Sequence, residues 1–505
     1  KNYLFNKLKS HDENYKSDKN IYFSEHHLSH AASAFYPSPF EEAIILTADG
    51  VGEWATTTVA IGKKNKLEIK KEIHFPHSLG LLYSAFTYFA GFKVNSGEYK
   101  LMGLAPYGKP LYLDKIKKIV DIKLDGSFRL DQSYFNYSTG LTMTNNKFHK
   151  LFGQKPRNPE TEKINQFHMD IAASIQKLTE EIIIKLVKSI KNEYGINNLC
   201  LAGGVALNCV ANGKILKEKI FDDIWIQPAA GDAGGSLGAA LAMWYDELNN
   251  NRSINQNDGM KGSYLGPEFT QKEIEDSLKN NEAVFSILNE KDLIDQTSAD
   301  LINGLAIGWF QGRMEFGPRA LGARSILADP RSITMQKNLN LKVKFRESFR
   351  PFAPSILESE LTNWFEINKK SPYMLLVSEI KKEKIIPMSD EESKLFGIDK
   401  LNIKRSEIPA VTHVDYTARI QTVSKETNER YFKLLENFNN KTNCPILVNT
   451  SFNVRGEPIV NTPEDAFKCF MGTEMDVLAV GNYVLYKEQQ DIALKENYEE
   501  RYELD

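Results

Sequence analysis

The spacing of apolar residues predicts one long helix in the first half of the chain. Between residues 162 and 194 the apolar positions recur every three or four residues, which is the period of a helix that buries one face. Gly195 follows as a stop signal. Upstream, residues 56–62 and 67–69 are strand-like runs on either side of a polar turn, and they predict a hairpin. Residues 111–160 are irregular and charged, which is typical of an insertion.

Two strand–glycine–helix units follow the long helix. The apolar run 198–202 leads into Gly203 and Gly204, and the run 224–228 leads into a second glycine turn that contains Asp232. In α/β folds such turns bring backbone N–H groups to phosphate, although paired glycines also allow a strand and a helix to pack closely. Two turns in succession favour a nucleotide or metal site. The nucleotide-binding candidates are Gly203, Gly204, Asn208, Gly231, Gly234 and Gly235.

A second candidate site is built from histidines and carboxylates. His26 and His30 are four residues apart, so a helix would place both imidazoles on one face. Asp49 ends the strand-like run 43–48, and Asp232 lies in the second glycine turn. The histidine pair alone favours an ordinary helix start with satisfied hydrogen bonds. With the two carboxylates it predicts a site for a divalent metal with positions left open.

A third motif resembles a phosphate-binding loop but lacks two of its features. Residues 103–110 match the glycine and lysine spacing of a P-loop. Pro110 stands where magnesium coordination needs Ser or Thr, and no obvious strand precedes the segment. The sequence therefore argues against a Walker-type ATPase.

Length and composition narrow the class of protein. A chain of 505 residues predicts two or three domains, and 42% hydrophobic with 26% charged residues is typical of a soluble globular protein. The net charge of −3 gives no reason to expect a nucleic-acid or membrane partner. No apolar run approaches the ~20 residues of a membrane span, and the first residues do not resemble a signal peptide. The four cysteines lack metal-ligand spacing, which predicts free thiols and a cytoplasmic location.

Composition also predicts where the domains meet. The polar stretch 249–262 has little to bury and predicts a linker between a first domain, 1–248, and a second domain, 263–488. Residues 489–505 are charged and predict a tail or a final surface helix.

The second domain concentrates cations among Phe, Leu, Gly and Pro. Lys344 and Arg346 are separated by one residue, as are Ser451 and Asn453, so strand alternation would place each pair on one face. Arginine binds phosphate oxygens through two N–H groups, and the chain as a whole is slightly acidic. These local cations favour a small dianion over a nucleic-acid surface or a merely solvated face. The other candidate ligands of that anion are Arg319, Arg324, Arg350, Arg419, Asn449 and Arg455.

Taken together, these motifs resemble the O-carbamoyltransferases of antibiotic and nodulation-factor biosynthesis, over roughly residues 22–485. The blocks that carry the resemblance are 26–30, 49–50, 203–208, 231–235, 314–322, 349–354, 413–419 and 449–453. The resemblance implies an α/β protein with an N-terminal actin-like (ASKHA, RNase H-like) domain, similar to that of tRNA threonylcarbamoyl-transfer enzymes. A C-terminal α/β carbamoyl-adenylate-forming (YrdC-like) domain would follow.

The resemblance also implies a two-step reaction. The second domain would make carbamoyl adenylate from carbamoyl phosphate and ATP, with Mg²⁺ accompanying the ATP. Its catalytic residues would be Lys344, Arg346, Ser451 and Asn453. The first domain would transfer the carbamoyl group to a hydroxyl of a small natural product or sugar and release AMP. Because water would destroy carbamoyl adenylate, an enclosed passage between the domains is expected.

The resemblance implies ferrous iron at His26, His30, Asp49 and Asp232, although the same ligands suit zinc or manganese. The family's first strand and its Gly-His-Asp-like turn do not occur in this sequence, so no base is assigned to the acceptor hydroxyl. The acceptor and the oligomeric state are not predicted by these residues.

Two alternatives stay open at this point. An actin-like nucleotide-binding chaperone or regulator would explain the first half but not the arginine-rich second half. Transfer of threonylcarbamoyl to tRNA would call for a basic surface that the composition does not offer.

Overall fold

A computed structural model of the protein describes residues 2–16, 21–495 and 498. The helices of the first half are α1 (Asn2–His11), α2 (His26–Phe35), α3 (Leu79–Phe89), α4 (Glu98–Leu104), α5 (Leu113–Ile116), α6 (Asn146–Phe152), α7 (Gln166–Tyr194), α8 (Cys209–Lys217) and α9 (Asp232–Ala242). Its strands are β1 (Glu42–Ala48), β2 (Ala55–Lys63), β3 (Lys66–His74), β4 (Val120–Ile122), β5 (Phe128–Leu130), β6 (Asn198–Ala202) and β7 (Asp223–Ile226).

A five-stranded mixed sheet organises this half, in the order β3-β2-β1-β6-β7. The first three strands are antiparallel to one another, and β1, β6 and β7 are parallel. The predicted hairpin is therefore confirmed as β2–β3. The predicted long helix is confirmed as α7, which ends where Gly195 adopts a left-handed conformation with φ of 68°.

The predicted insertion has more structure than its composition indicates. Residues 111–160 contain α5, the β4–β5 hairpin and α6. Phe148 and Phe152 of α6 are buried and pack edge-on against Phe86 of α3. The aromatic residues, which are spread thinly among charges in the sequence, meet only when the segment folds back onto α3.

The second half is built on a larger sheet. Its helices are α10 (Gln271–Asn280), α11 (Glu290–Ile302), α12 (Met335–Asn338), α13 (Leu361–Trp364), α14 (Asp390–Ser393), α15 (Glu429–Thr442) and α16 (Pro463–Met471). Its strands are β8 (Ser286–Ile287), β9 (Ile307–Phe310), β10 (Arg324–Ala328), β11 (Ala353–Leu357), β12 (Leu376–Glu379), β13 (Thr417–Val423), β14 (Ile446–Ser451), β15 (Val477–Val480) and β16 (Tyr483–Tyr486). The nine strands form one sheet in the order β12-β13-β11-β14-β10-β9-β15-β16-β8.

Residues 249–262, the predicted linker, are mostly exposed, but a few of them are anchored to both halves. Arg252 donates to the carbonyl oxygens of Phe35 and Ser38, and Met260 is buried. Asp258 is only 6% exposed. Its carboxylate accepts from Trp225 of the first half at 3.2 Å and from Tyr373 of the second at 2.7 Å. The two halves are thus tied through this segment.

Three further predictions concern the chain as a whole. Within the described residues no helix combines the length and apolar character needed to cross a bilayer. All four cysteines are buried free thiols. Of the predicted charged tail, Tyr498 is buried and donates to Glu457 at 2.7 Å, whereas residues 496, 497 and 499–505 lie outside the described part of the chain.

Candidate functional site

The predicted histidine–carboxylate cluster lies where α2, β1 and α9 meet. His26 and His30 occupy successive turns of α2, Asp49 directly follows β1, and Asp232 is the first residue of α9. The helices α2 and α9 pack closely, since a Cβ at Gly238 would lie 1.8 Å from the carbonyl oxygen of Ser29. This close packing brings Asp232 to the histidines.

The four side chains converge on one point. The Nε2 atoms of His26 and His30 lie 3.0 Å apart, and each is 3.0 Å from Oδ2 of Asp49. Oδ1 of Asp232 lies 3.5 Å from His26 Nε2 and 3.6 Å from His30 Nε2. The predicted convergence is therefore found, while the role of these residues as metal ligands stays a prediction.

Charge in the cluster is only partly balanced. The hydrogen bond to Asp49 raises the pKa of His26. Burial alone would raise the pKa of Asp49, but its bonds to His26 and His30 hold that pKa well below the usual range. Asp232, whose side chain is 79% exposed, adds a second carboxylate. Two acids thus meet two imidazoles at the end of a cavity.

The spacing of these donors fits a cation. Ligand atoms about 2.1 Å from one metal, in adjacent octahedral positions, lie about 3.0 Å from one another. This is the separation of the three closest atoms, His26 Nε2, His30 Nε2 and Asp49 Oδ2. Nε2 of His30 faces the cluster, whereas its Nδ1 is buried without a hydrogen-bond partner among the described residues. A divalent ion would satisfy the facing lone pairs.

The two glycine turns lie beside this cluster, and they serve different purposes. The N–H group of Gly204 donates to Oδ1 of Asp49 at 3.1 Å, so the first turn holds the carboxylate in place. Gly203 has a φ of 86°, and a Cβ there would lie 2.3 Å from the carbonyl oxygen of Ala48. A Cβ at Gly234 would lie 2.1 Å from the carbonyl oxygen of Ala229. Gly203 and Gly234 are thus explained by close packing.

The structure places only three of the six predicted nucleotide-binding residues at the main cavity. Gly204, Asn208 and Gly231 line the main cavity, whereas Gly203, Gly234 and Gly235 do not. Asn208 is also the N-cap of α8, since its Oδ1 accepts from the N–H group of Ala211. Nucleotide binding by these residues stays a prediction.

In the second half, Lys344 of one predicted pair contacts both residues of the other pair, Ser451 and Asn453. Nζ of Lys344 donates to the carbonyl oxygens of Ser451 and Asn453, both at 2.7 Å, and to Oδ1 of Asn453 at 2.6 Å. Oγ of Ser451 donates to the same Oδ1 at 2.7 Å. Lys344 is almost fully buried, and burial lowers its pKa well below the usual range, with Arg346 adding to the effect.

The predicted strand alternation of Lys344 and Arg346 is wrong. Lys344 ends a single wide helical turn over Leu339–Val343, and Phe345 has a φ of 47°. This left-handed residue reverses the local chain direction, and both cations still face the same cavity. Nε of Arg346 donates to Oδ1 of Asn340 at 2.6 Å, and its guanidinium lies 4.8 Å from the centre of the Phe352 ring.

Most of the other predicted anion ligands surround that pair. Those that line the cavity are Arg319, Arg350, Arg419, Asn449 and Arg455. Burial, together with the charge of the neighbouring Arg419, lowers the pKa of Arg319 to about 9. The buried Nε atoms of Arg319 and Arg419 have no hydrogen-bond partner among the described residues. Glu347 forms ion pairs with Arg455 at 3.5 Å and Arg350 at 3.9 Å.

Arg324 lies elsewhere, which corrects its predicted place at the site. It is fully buried at the start of β10 and does not line the cavity. Its guanidinium donates to the carbonyl oxygens of Gln311, Gly312 and Pro267 and stacks on Phe310 at 3.5 Å. Through these contacts Arg324 holds together the loops that carry those three carbonyl groups.

A single cavity of about 2470 Å³ connects the two clusters. Asp49 and Asp232 line it at one end, and Lys344, Arg346 and Asn453 line it in the second half. It also contains residues that sequence reasoning missed, among them a buried network in which Tyr83 donates to Gln176 and Gln176 donates to Glu180 and Asn208. Only the packing of α3, α7 and α8 brings these groups together.

Comparison with known proteins agrees with this division into two halves. Residues 3–241 match the family model described as Carbamoyltransferase N-terminus, and residues 298–487 match Carbamoyltransferase C-terminus. The chain is 59% identical to "Uncharacterized protein sll1178" of Synechocystis over 96% of this chain and 79% of that protein. It is 37% identical to "Nodulation protein NolO" of Bradyrhizobium diazoefficiens over 92% of this chain and 78% of that protein.

A solved structure, HypF of T. kodakarensis, matches 50% of this chain and 40% of its own at a TM-score of 0.26 and 14% identity, too distant a likeness to support an argument. The two family-model matches and the similar sequences are enough to assign the family. The protein is an enzyme with two α/β domains that belongs to the carbamoyltransferase family.

Proposed function

We propose that the enzyme makes carbamoyl adenylate from carbamoyl phosphate and ATP in the second half. It then transfers the carbamoyl group to a hydroxyl of a small natural-product or sugar acceptor in the first half. The observation that supports this most directly is the shared cavity, which is lined by the histidine–carboxylate cluster's Asp49 and Asp232 and by the cations around Lys344. The cavity is partly open to solvent, so the enclosed passage expected from the sequence is not seen among the described residues, but both sets of residues line the same space.

The first step needs fixed positive charge. Carbamoyl phosphate, ATP and water give carbamoyl adenylate, pyrophosphate and inorganic phosphate. Arg346, Arg419 and Arg455 would neutralise the phosphate of carbamoyl phosphate and then the charge of the pyrophosphate that leaves. Lys344, whose N–H groups already donate to Ser451 and Asn453, would hold those two residues in place beside the same phosphate.

The second step needs the acceptor hydroxyl close to the carbamoyl carbon. The hydroxyl oxygen attacks that carbon and AMP leaves with the bonding electrons. His26, His30, Asp49 and Asp232 would hold a divalent cation, for which ferrous iron is our proposal. When bound, that cation would supply Lewis-acid polarisation of an oxygen of the adenylate. Asp49 keeps its orientation through the N–H group of Gly204 at 3.1 Å.

The topology supports the finer fold assignment that we propose. The first sheet places three antiparallel strands beside two parallel ones in the order β3-β2-β1-β6-β7, with the cluster at the carboxyl end of β1. This arrangement suits an RNase H-like unit of an actin-like domain. The second sheet, with its cations on the loop after α12 and at the end of β14, would be the YrdC-like domain.

One experiment separates this function from nucleotide hydrolysis alone. Purified enzyme is incubated with ATP, with and without carbamoyl phosphate, and AMP, ADP and pyrophosphate are measured. We expect AMP and pyrophosphate only when carbamoyl phosphate is present. Release of ADP irrespective of carbamoyl phosphate would contradict the proposal and favour an actin-like ATPase.

A further inference from the structure

A short segment of the first half lies along the loop that carries the cations of the second half. The segment, residues 98–107, contains α4, and the loop is residues 344–352. Three contacts join them. The ring of Tyr99 lies 4.6 Å from the guanidinium of Arg350, and Oη of Tyr107 donates to the carbonyl oxygen of Phe349 at 3.0 Å. Gly103 lies against Pro351, which a Cβ at 103 would approach to 3.6 Å.

Arg350 is held from both halves of the molecule. Its carbonyl oxygen accepts from Asn340 at 3.0 Å, so its backbone is fixed within the second half. Its side chain is 13% exposed, and Glu347 lies 3.9 Å away, at the limit of an ion pair. The aromatic face of Tyr99 is the second partner of the guanidinium, and a cation over such a face is attracted by the ring quadrupole.

The backbone around Tyr99 is anchored, while the Tyr99 side chain is 36% exposed. The preceding residue, Glu98, accepts from Ser84 at 2.7 Å and from the N–H group of Asn95 at 3.1 Å. The following residues of α4, Leu101 and Leu104, are fully buried. The ring therefore stands on a fixed support of the first half and reaches into the cavity among the cations of the second.

We infer that Tyr99 is a positioning residue for the first half-reaction, which it serves by holding the Arg350 guanidinium toward bound carbamoyl phosphate. The inference rests on the proposed function, since it assumes that the second half binds that substrate. It means that the anion site is completed by the other half of the molecule.

The test is carbamoyl-phosphate-dependent pyrophosphate release by the full-length enzyme. We expect Tyr99→Ala to raise the KM for carbamoyl phosphate about tenfold while kcat changes less than twofold, because the lost contact aids binding. Tyr99→Phe keeps the aromatic face and should restore the KM. Tyr134→Ala is the matched control, since that ring carries Lys147 at 4.0 Å outside the cavity.

A double-mutant cycle then tests whether Tyr99 acts through Arg350. The variant Tyr99→Ala/Arg350→Ala should have the same KM as Arg350→Ala, because the contact is already lost. Additive effects, or a wild-type KM in Tyr99→Ala, would overturn the inference while leaving the proposed function intact. If the wild-type enzyme released no pyrophosphate in response to carbamoyl phosphate, the proposed function itself would fail. A raised KM in Tyr134→Ala would also overturn the inference, since it would show a general effect of aromatic loss.

Discussion

The two ends of the cavity have opposite charge imbalances. In the first half, two carboxylates and two imidazoles converge within 4.8 Å, and the Asp232 side chain is mostly exposed. In the second half, Arg319, Arg346 and Arg419 are clustered, and burial lowers the pKa of each. A buried imbalance is costly unless a ligand of opposite charge compensates for it. The comparison supports our proposal that the first end binds a cation and the second an anion.

The largest expected effect comes from removing the acid at the first end. Asp49→Ala should abolish stoichiometric binding of ferrous iron and lower formation of carbamoylated product by ~10³-fold or more. Pyrophosphate release dependent on carbamoyl phosphate should persist, because the second end is unchanged. Metal content after dialysis and product by mass spectrometry are the measurements.

The control for this variant is Asp246→Asn, which removes a carboxylate that pairs with Lys66 at 3.4 Å, away from the cluster. It should retain metal and product formation. Full metal occupancy in Asp49→Ala would show that the first end is not the cation site.

The matching change at the second end is Arg346→Ala. We expect a loss of 10²-fold or more in pyrophosphate release, equivalent to roughly 3 kcal/mol of transition-state stabilisation. Metal binding should survive, since the histidine cluster lies in the other half. Arg331→Ala, which removes a guanidinium paired with Asp329 outside the cavity, is the control. A normal rate in Arg346→Ala would place the first half-reaction elsewhere.

At each end of the cavity one histidine has a shifted pKa, and the two shifts have opposite directions. The shift at the second end predicts a pH effect. Asp49 raises the pKa of His26, whereas burial lowers the pKa of His413 in the second half from 6.5 to about 4. The groups facing His413 are Asp415, which opposes the shift, and Arg419 and Arg405, which add to it. Since the unfolded chain binds the proton more tightly, the stability contributed by neutral His413 is complete above pH 6.5 and is lost as the pH falls toward 4.

At pH 5 the loss amounts to about 2 kcal/mol relative to pH 7. Urea unfolding of wild type and His413→Gln across this range measures it, and the variant should show a correspondingly flatter pH dependence. Parallel curves for the two proteins would mean that His413 is not kept neutral by the fold.

The smallest effect is expected beside the first cluster. Both carboxylate oxygens of Glu53 accept from the backbone N–H group of His26 at 3.1 Å and so fix the start of α2. Because Glu53 is exposed, Glu53→Gln should weaken binding of ferrous iron by only about tenfold, equivalent to ~1.4 kcal/mol. Glu72→Gln, at the exposed end of β3, is the control and should leave the affinity unchanged. A loss as large as that of Asp49→Ala would show that Glu53 itself holds the cation.

Much of the first half was predictable because its signals are local. The period of apolar residues predicted α7, and the strand runs predicted β2, β3 and β6. The i, i+4 spacing placed His26 and His30 on one helix face, since a helix fixes that geometry whatever surrounds it. The ends of two strand-like runs then indicated Asp49 and Asp232 as the carboxylates that belong with them, and resemblance to the carbamoyltransferases implied the same set.

The second half depended more on long-range contacts, and there the local reasoning failed in particular places. Lys344 and Arg346 share a cavity, but they do so through a left-handed Phe345 rather than through strand alternation. Arg324 has the same residue type and similar neighbours in sequence as Arg319, yet one is enclosed by carbonyl oxygens and the other lines the cavity. Burial and partner are properties of the fold, which sequence neighbours do not specify.

By itself, the sequence determined the class of enzyme, the long helix, the hairpin and the four side chains of the histidine cluster. Each of these depends on residue type at short, fixed spacing, or on motifs long enough to identify a family. Only the tertiary structure decided that residues of both clusters line one cavity, that Asp258 contacts both halves, and that Tyr99 of the first half lies over Arg350 of the second. The physical reason is that these contacts join residues up to 250 or so positions apart along the chain, where only the packing of whole elements, not local periodicity, sets the distance.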